Sequence, residues 1–195
     1  MSPRSKAQFE DLRQRSTDAI RAAALELFAR HGYHNTSISQ IATEAGVSKG
    51  LLYNYFASKE VLLEDIILGA IGAAEQLMQQ LESLEGGPGE QLRWLTEATF
   101  ATVQENLPYW KLMAALAMQA DQLETIKPLL KQNEEQNVRL IAAIFERLGA
   151  EQPREMAYYY GAVLDGVMLH YMQLGEGYPI EAMKNLVLKQ FVPNA

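Results

Sequence analysis

Residues 37–59 read SISQIATEAGVSKGLLYNYFASK, and the fold turns on how this stretch divides into helices. Ser37 followed by Gln40 has the spacing of a capping box, in which each side chain serves the other residue's backbone N–H. Gly46 has the position of a residue one past a helix end, where the backbone turns left-handed. Ser48 and Ser58 can each cap a further helix. Ile38, Ile41, Ala42 and Ala45 then line up as an apolar stripe on a short first helix. At about 100° per residue, Leu52 and Phe56 fall on one side of the second helix, with Val47 in the turn before them. Two short helices, a glycine turn and a few apolar anchors make a helix-turn-helix.

The other side of the second helix carries Lys49, Gly50, Tyr53 and Asn54, none of them a natural core residue. A glycine there costs about 1 kcal/mol relative to alanine, so it needs a reason. A duplex lying against the helix supplies one, because a residue without a side chain lets it come close. Lys49 brings positive charge for phosphate or guanine acceptors, and the phenols of Tyr53 and Tyr55 donate well to phosphate oxygens. Lys59 stands at the start of the next helix, where free amides also favour an anion. Leu51 either touches a thymine methyl or covers the flank of the motif. The alternative for the whole face is an ordinary solvated surface.

Working outward, Ile20, Ala24, Leu27 and Phe28 recur at helical spacing in a helix that ends at His31-Gly32. After the motif, Val61, Leu62, Ile66 and Leu68 belong to a long helix from about Ser58 to Leu84, on the order of 40 Å. Gly86-Gly87-Pro88-Gly89 closes it. Later breaks fall near Leu107-Pro108, from Asp121 to Pro128, from Gly149 to Pro153 and from Gly175 to Pro179. The sum is an all-α chain of about nine helices, with no sustained alternation that would predict strands.

Composition narrows the function. The 195 residues are 48% hydrophobic and 21% charged, which is ordinary for a globular protein. No apolar run approaches the roughly 18–20 residues needed to cross a bilayer, and MSPRSKAQFED lacks the apolar stretch of a secretory signal. Cysteine is absent, so a reducing, cytoplasmic setting is expected. Net charge is −7, yet residues 1–60 hold 8 Lys+Arg against 6 Asp+Glu, while residues 61–195 hold 9 against 18. Only the first quarter suits nucleic acid. Arg4, Lys6, Arg13 and Arg15 form either a basic arm or a solvated terminus. His31 and His34 flank a helix-ending glycine and share no helical face, so no metal site is expected. Neither a nucleophile–base pair nor a phosphate-binding glycine loop is present, which argues against an enzyme; no cofactor is implied.

The later helices are rich in aromatic residues and methionine: Trp94, Phe100, Tyr109, Trp110, Met113, Met118, Tyr158, Met168 and others. Most belong in a core at this spacing, but such residues also suit an adaptable, largely apolar pocket. Phe100, Trp110, Met113, Tyr158, Asp165 and Met168 are the candidates for lining one. Asp165, in LDGVML, needs a partner if buried: a polar or cationic ligand group, a neighbouring helix or another subunit. His170 stands alone in an apolar helix, where a core or pocket hydrogen bond is the default. A last helix aligns Ile180, Met183, Val187 and Phe191, and the helix before it offers Ala157, Gly161, Ala162 and Gly166. Ala162, Gly166, Met183, Val187 and Phe191 are the candidates for a two-fold interface; the alternative is packing within the chain.

Residues 24–67, ALELFARHGYHNTSISQIATEAGVSKGLLYNYFASKEVLLEDII, resemble the DNA-binding domain of the TetR family of transcriptional regulators. The matching elements, LF…HGY…TSIS.IA.EAGVSKG.LYNYF.SKE.LL, span three helices and their joints; YWKLMAALAMQ and AVLDGVMLHYM are more weakly similar to the family's later helices. The resemblance implies DNA contacts by residues matching Ser37, Ser39, Lys49, Gly50, Tyr53, Asn54, Tyr55 and Lys59. It implies a DNA-binding domain over residues 1–60, joined by a long helix to a ligand-binding and dimerisation domain over residues 61–195. The function implied is a one-component repressor that grips a palindromic operator as a homodimer and releases it on binding a small effector. A protein of the same fold controlled by a protein partner is the alternative.

Overall fold

The structure, a computed structural model, describes residues 6–117 and 127–192. Arg4, the Lys6 side chain, Met118 and the break expected from Asp121 lie outside the described residues. Among them run nine α-helices: α1 (Lys6–His31), α2 (Ile38–Glu44), α3 (Lys49–Tyr55), α4 (Lys59–Ser83), α5 (Pro88–Glu105), α6 (Leu107–Ala117), α7 (Lys127–Arg147), α8 (Pro153–Leu174) and α9 (Ile180–Phe191). A 3-10 turn, Gly175–Gly177, precedes α9. The all-α class and the helix order expected from the sequence are what the chain adopts.

The chain divides into two compact units, Met1–Ala70 with Leu112–Leu123 and Ile71–Lys111 with Glu124–Ala195. This division passes through α4 after Ala70. The reason is local: Leu62, Leu63, Ile66 and Ile67 on the first turns of α4 are buried with the core of the first unit.

That core joins Ile20, Ala24 and Phe28 of α1 to Ile41 and Ala42 of α2, Leu52 of α3, and Phe56. Helix ends are defined as their residue types dictate. Gly32 and Gly46 take φ of +83° and +66°, the left-handed region that side chains resist. After α2 the Gly46 N–H donates to the Thr43 carbonyl and the Val47 N–H to that of Ala42, a Schellman closure. The Arg21 guanidinium of α1 grips the Asp65 carboxylate of α4 at 2.5 and 3.1 Å, and the carboxylates of Asp65 and Asp18 hold the guanidinium above its usual range.

In the second unit, Leu81 from the end of α4 meets Leu92, Leu95 and Phe100 of α5, Ile144 and Phe145 of α7, Tyr160, Leu164 and Met168 of α8, and Val187, Leu188 and Phe191 of α9. Val187 and Phe191, named as interface residues, are buried in their own unit, where the Phe191 ring packs edge-on against Phe145, Tyr159 and Tyr160. The apolar line of α9 was visible in the sequence; the side it faces depends on the partner helices.

One buried polar pair crosses this core. The Thr96 hydroxyl donates to the Leu92 carbonyl at 2.8 Å, so its oxygen is free to accept from the Tyr160 phenol 2.9 Å away. Burial is the main cause that pushes the Tyr160 phenol well above the ordinary tyrosine range. Replacing Tyr160 with Phe removes the donor and leaves a satisfied threonine, at an expected cost of about 1 kcal/mol. Thr96→Val strands the phenol without a partner and is expected to cost more, about 1–3 kcal/mol. Urea unfolding of both variants, read as a shift in midpoint, checks the order.

Candidate nucleic-acid interface and effector cleft

α3 has only seven residues and is fixed at both ends. The Leu51 N–H donates to the Ser48 hydroxyl at 3.1 Å, and the Phe56 N–H closes the last turn on the Leu52 carbonyl at 2.9 Å. Leu52 is fully buried and Phe56 nearly so, which sets the helix's rotation. Lys49, Gly50, Tyr53 and Asn54 are consequently exposed, Tyr53 at 46% of its surface. The Lys49 ammonium lies 5.9 Å from the Tyr53 ring centre, so charge and phenol form one patch. Tyr55 is half-buried and turned toward α1, with the Arg13 guanidinium 5.8 Å from its ring centre. That links Arg13, otherwise exposed on α1, to the flank of the same patch.

α2 begins as expected. The Ser37 N–H donates to the Gln40 side-chain oxygen at 2.8 Å, and the Gln40 N–H donates back to the Ser37 hydroxyl at 3.3 Å. Ser37 and Ser39 are exposed at this helix start. Lys59 differs from the others. It is half-buried, and its ammonium donates to the Tyr33 carbonyl at 2.7 Å and the Thr36 carbonyl at 2.8 Å while lying 4.3 Å from the centre of the Tyr33 ring. Two of its three donors are thus directed inward, away from any external phosphate.

In the second unit, Tyr158 and Asp165 line a cleft of about 460 Å³ between α7 and α8, with Leu130, Asn133, Glu134 and Val138 opposite them. Partial burial pushes the Asp165 carboxyl above the usual carboxylate range, and the charge of Glu134 adds to the effect. Asn133 accepts from the Asn137 amide, while its own buried NH₂ has no hydrogen-bond partner. The remaining expected pocket residues lie elsewhere. Phe100 and Met168 are closed into the core, and Trp110 packs at its edge with its indole N–H donating to the Thr102 carbonyl at 3.1 Å. Met113 is a half-buried residue of the first unit. Glu134 and Asn133 gave no sequence signal beyond polarity on α7. His170 is exposed, edge-on to the Tyr178 ring at 6.0 Å.

Among the described residues, no three His, Cys, Asp or Glu side chains gather as a metal site, and no helix is long and apolar enough to cross a membrane.

Adding a Cβ to Gly50 would meet nothing within 4 Å. Gly50→Ala is therefore expected to leave the free protein as stable as before, or more so by less than about 1 kcal/mol. If glycine is there for a duplex, the same change weakens DNA binding. Thermal unfolding alongside a fluorescence-anisotropy titration with operator DNA separates the two effects.

Two families match this chain: residues 20–66 match the bacterial regulatory proteins of the tetR family, and residues 88–192 match the C-terminal domain of BetI-type transcriptional repressors. The HTH-type transcriptional regulator BetI of Escherichia coli (strain K12) is 29% identical over 160 residues, covering 75% of this chain and 77% of BetI. A TetR-family regulator from Agrobacterium tumefaciens shares the fold at TM-score 0.75 and 23% identity, covering 93% of this chain and 100% of that one. A structure from Saccharomonospora viridis, in complex with choline, aligns at TM-score 0.73 and 23% identity over 94% of this chain and 96% of its own. With the helix-turn-helix and most of the second unit both matched, the chain belongs to the TetR family of transcriptional regulators, with a BetI-type C-terminal region.

Proposed function

We propose that this regulator is a cytoplasmic, ligand-responsive repressor that binds a palindromic operator as a homodimer. The observation that carries the reading is the two-sided α3: Leu52 is buried, while Lys49, Gly50, Tyr53 and Asn54 stand outward together. In this reading α3 enters the major groove, Lys49 and Asn54 meet base edges or phosphate, and Tyr53, Tyr55, Ser37 and Ser39 hold the backbone.

Dimerisation is assigned to the outer face of α8 and α9. Gly166 of α8 is exposed and small, so another helix can approach closely, and Leu169 of α8 and Leu186 of α9 are exposed apolar side chains, Leu186 at 58%; Ala162, also exposed and small, lines the α7–α8 cleft as well. Met183 is half-buried and sits at the margin of this face. Two helices from each subunit would form a four-helix bundle about a two-fold axis.

The effector is assigned to the α7–α8 cleft. Its walls combine Leu130, Val138 and Ala157 with the carboxylates of Glu134 and Asp165 and the phenol of Tyr158. Such a lining suits a small molecule with an apolar body and a positive charge, and the choline in the Saccharomonospora viridis structure is of that kind. A ligand that prefers one conformation by a few kcal/mol is enough to shift the spacing of two reading helices.

Selection of random duplexes by the purified protein, repeated at several salt concentrations, tests the proposal. Enrichment of a palindrome with half-sites about 34–36 Å apart is expected. A monomeric protein, or one that enriches no sequence at low salt, would sink it. Tyr53→Phe is expected to weaken operator binding by about 1.5–3 kcal/mol.

Asp165→Asn tests the cleft. A carboxyl raised in the folded state costs stability once pH exceeds its unfolded value, about 3.9. The asparagine variant is therefore expected to melt higher than the parent at pH 7, with the gain vanishing below pH 4. It should also bind choline, used as the probe cation, more weakly in calorimetry.

A further inference from the structure

The chain enters the helix-turn-helix through Tyr33–Thr36 and leaves it through Ala57–Lys59. These two segments are tied together by one small cluster. The Lys59 ammonium donates to the carbonyls of Tyr33 and Thr36 at 2.7 and 2.8 Å. The Tyr33 phenol donates to the Glu60 carboxylate at 2.8 Å, and Lys59 rides over the Tyr33 ring at 4.3 Å. Thr36, only 3% exposed, turns its hydroxyl inward to the carbonyls of Gly32 and Leu27 at 2.9 and 3.3 Å. Thr36 directly precedes Ser37, the N-cap of α2. The first two residues of α4 therefore hold the segment that leads into α2: Lys59 at the Tyr33 and Thr36 carbonyls, Glu60 at the Tyr33 phenol.

We infer that Lys59, Tyr33 and Glu60 form a clasp that positions α2 and α3 relative to the start of α4, with Lys59 acting as a positioning residue and not as a phosphate contact. The charge pattern supports this. A lysine aimed at phosphate needs its ammonium free, and this one has two short bonds to backbone carbonyls, shorter than the 3.3 Å bond that the Tyr33 carbonyl also accepts from the Thr36 N–H. The Glu60 carboxyl is held below its usual range by its own backbone N–H, the Ser58 hydroxyl and the Tyr33 phenol, so the far side of the clasp stays charged at neutral pH. Both ends of the bracket are on α4, so a displacement of α4 is handed to α2 directly, without a route through the core. The effect on DNA rests on the operator-binding reading given above; the clasp itself exists in the free protein.

Two experiments separate the possibilities. First, amine-acylation footprinting of the wild-type protein is read by mass spectrometry with and without operator duplex. Lys59 is expected to react several-fold more slowly than Lys49 in the free protein and to change little on DNA, whereas Lys49 becomes protected. Lys59 reacting as fast as Lys49 when free and becoming protected on DNA overturns the proposal. Second, hydrogen exchange is measured on Lys59→Met without DNA. Amides at the start of α2, residues 38–41, should exchange at least about tenfold faster than in the parent, while those of α8 stay unchanged; unchanged exchange at α2 overturns the clasp. With DNA, Lys59→Met should lose affinity at least about tenfold and keep its salt slope, whereas loss of a phosphate contact lowers that slope by about one. Should Lys59→Met fail to fold, the wild-type footprint still decides. Should the wild type bind no duplex, the operator reading falls, and the free-protein reactivity and exchange still judge the clasp.

Discussion

A seven-residue helix has too few internal hydrogen bonds to persist in water, so α3 exists only because other parts of the chain hold it. Three things do: the Ser48 cap, the closing bond from Phe56 to Leu52, and the burial of those two side chains against a core that includes Ile41 and Ala42. Burial of a leucine and a phenylalanine contributes about 1.5–3 kcal/mol each, more than any hydrogen bond on the exposed side. Packing therefore fixes the rotation of α3, and the outward row of Lys49, Gly50, Tyr53 and Asn54 follows from it. The interface is a by-product of which residues are sealed inside.

This explains why the first unit was legible from sequence. Caps and turns are set by local chemistry: serine at a helix start and glycine at positive φ have few alternatives, so Ser37, Gly46 and Ser48 all take the roles their types suggest. Lys59 was legible as a cation near a helix start but not as a clasp, because its partners are backbone carbonyls 23 and 26 residues away. Carbonyls leave no mark in a sequence. The second unit was read less well for a related reason. An apolar line on α9 or a phenylalanine on α5 says that a face is buried, not what buries it. Val187, Phe191, Phe100 and Met168 met their own core, and the cleft took half its lining from α7 residues that looked like surface.

The two halves of the protein use polar burial in opposite ways. In the first unit the Arg21–Asp65 pair and the Lys59 clasp are complete: each charge faces an opposite charge or a carbonyl dipole. They make the orientation of α1, α2 and α4 unique more than they add stability, since partly exposed ion pairs contribute little. In the α7–α8 cleft the polar groups are incomplete. Asp165 and Glu134 repel one another, and the Asn133 NH₂ lacks an acceptor. Unfinished electrostatics are a cost in the free protein, and whatever fills the cleft with the right charge recovers it. If the cleft is the effector site proposed above, such a deficit is what a ligand would draw on, because a ligand shifts an equilibrium only by what it gains in one state over the other.

The charge distribution adds a final constraint. The acidic residues are concentrated after residue 60, in a chain whose net charge is −7. Duplex DNA repels that region over a distance of about 8–10 Å at physiological salt. Residues 1–60, with 8 Lys+Arg against 6 Asp+Glu, carry the slight excess of cations that gains by approaching phosphate. A strongly basic protein would adhere to any duplex and would have to be specific against that background. Here the overall repulsion lowers non-specific adhesion, and on the proposed reading binding would depend on the few contacts that α3 and the start of α2 offer when both are correctly aligned. On the function proposed above, the alignment of two short helices, more than total positive charge, is what a ligand would have to disturb, and the bond from Lys59, the first residue of α4, to the Thr36 carbonyl next to the α2 cap would give a displacement of α4 a direct way to do so.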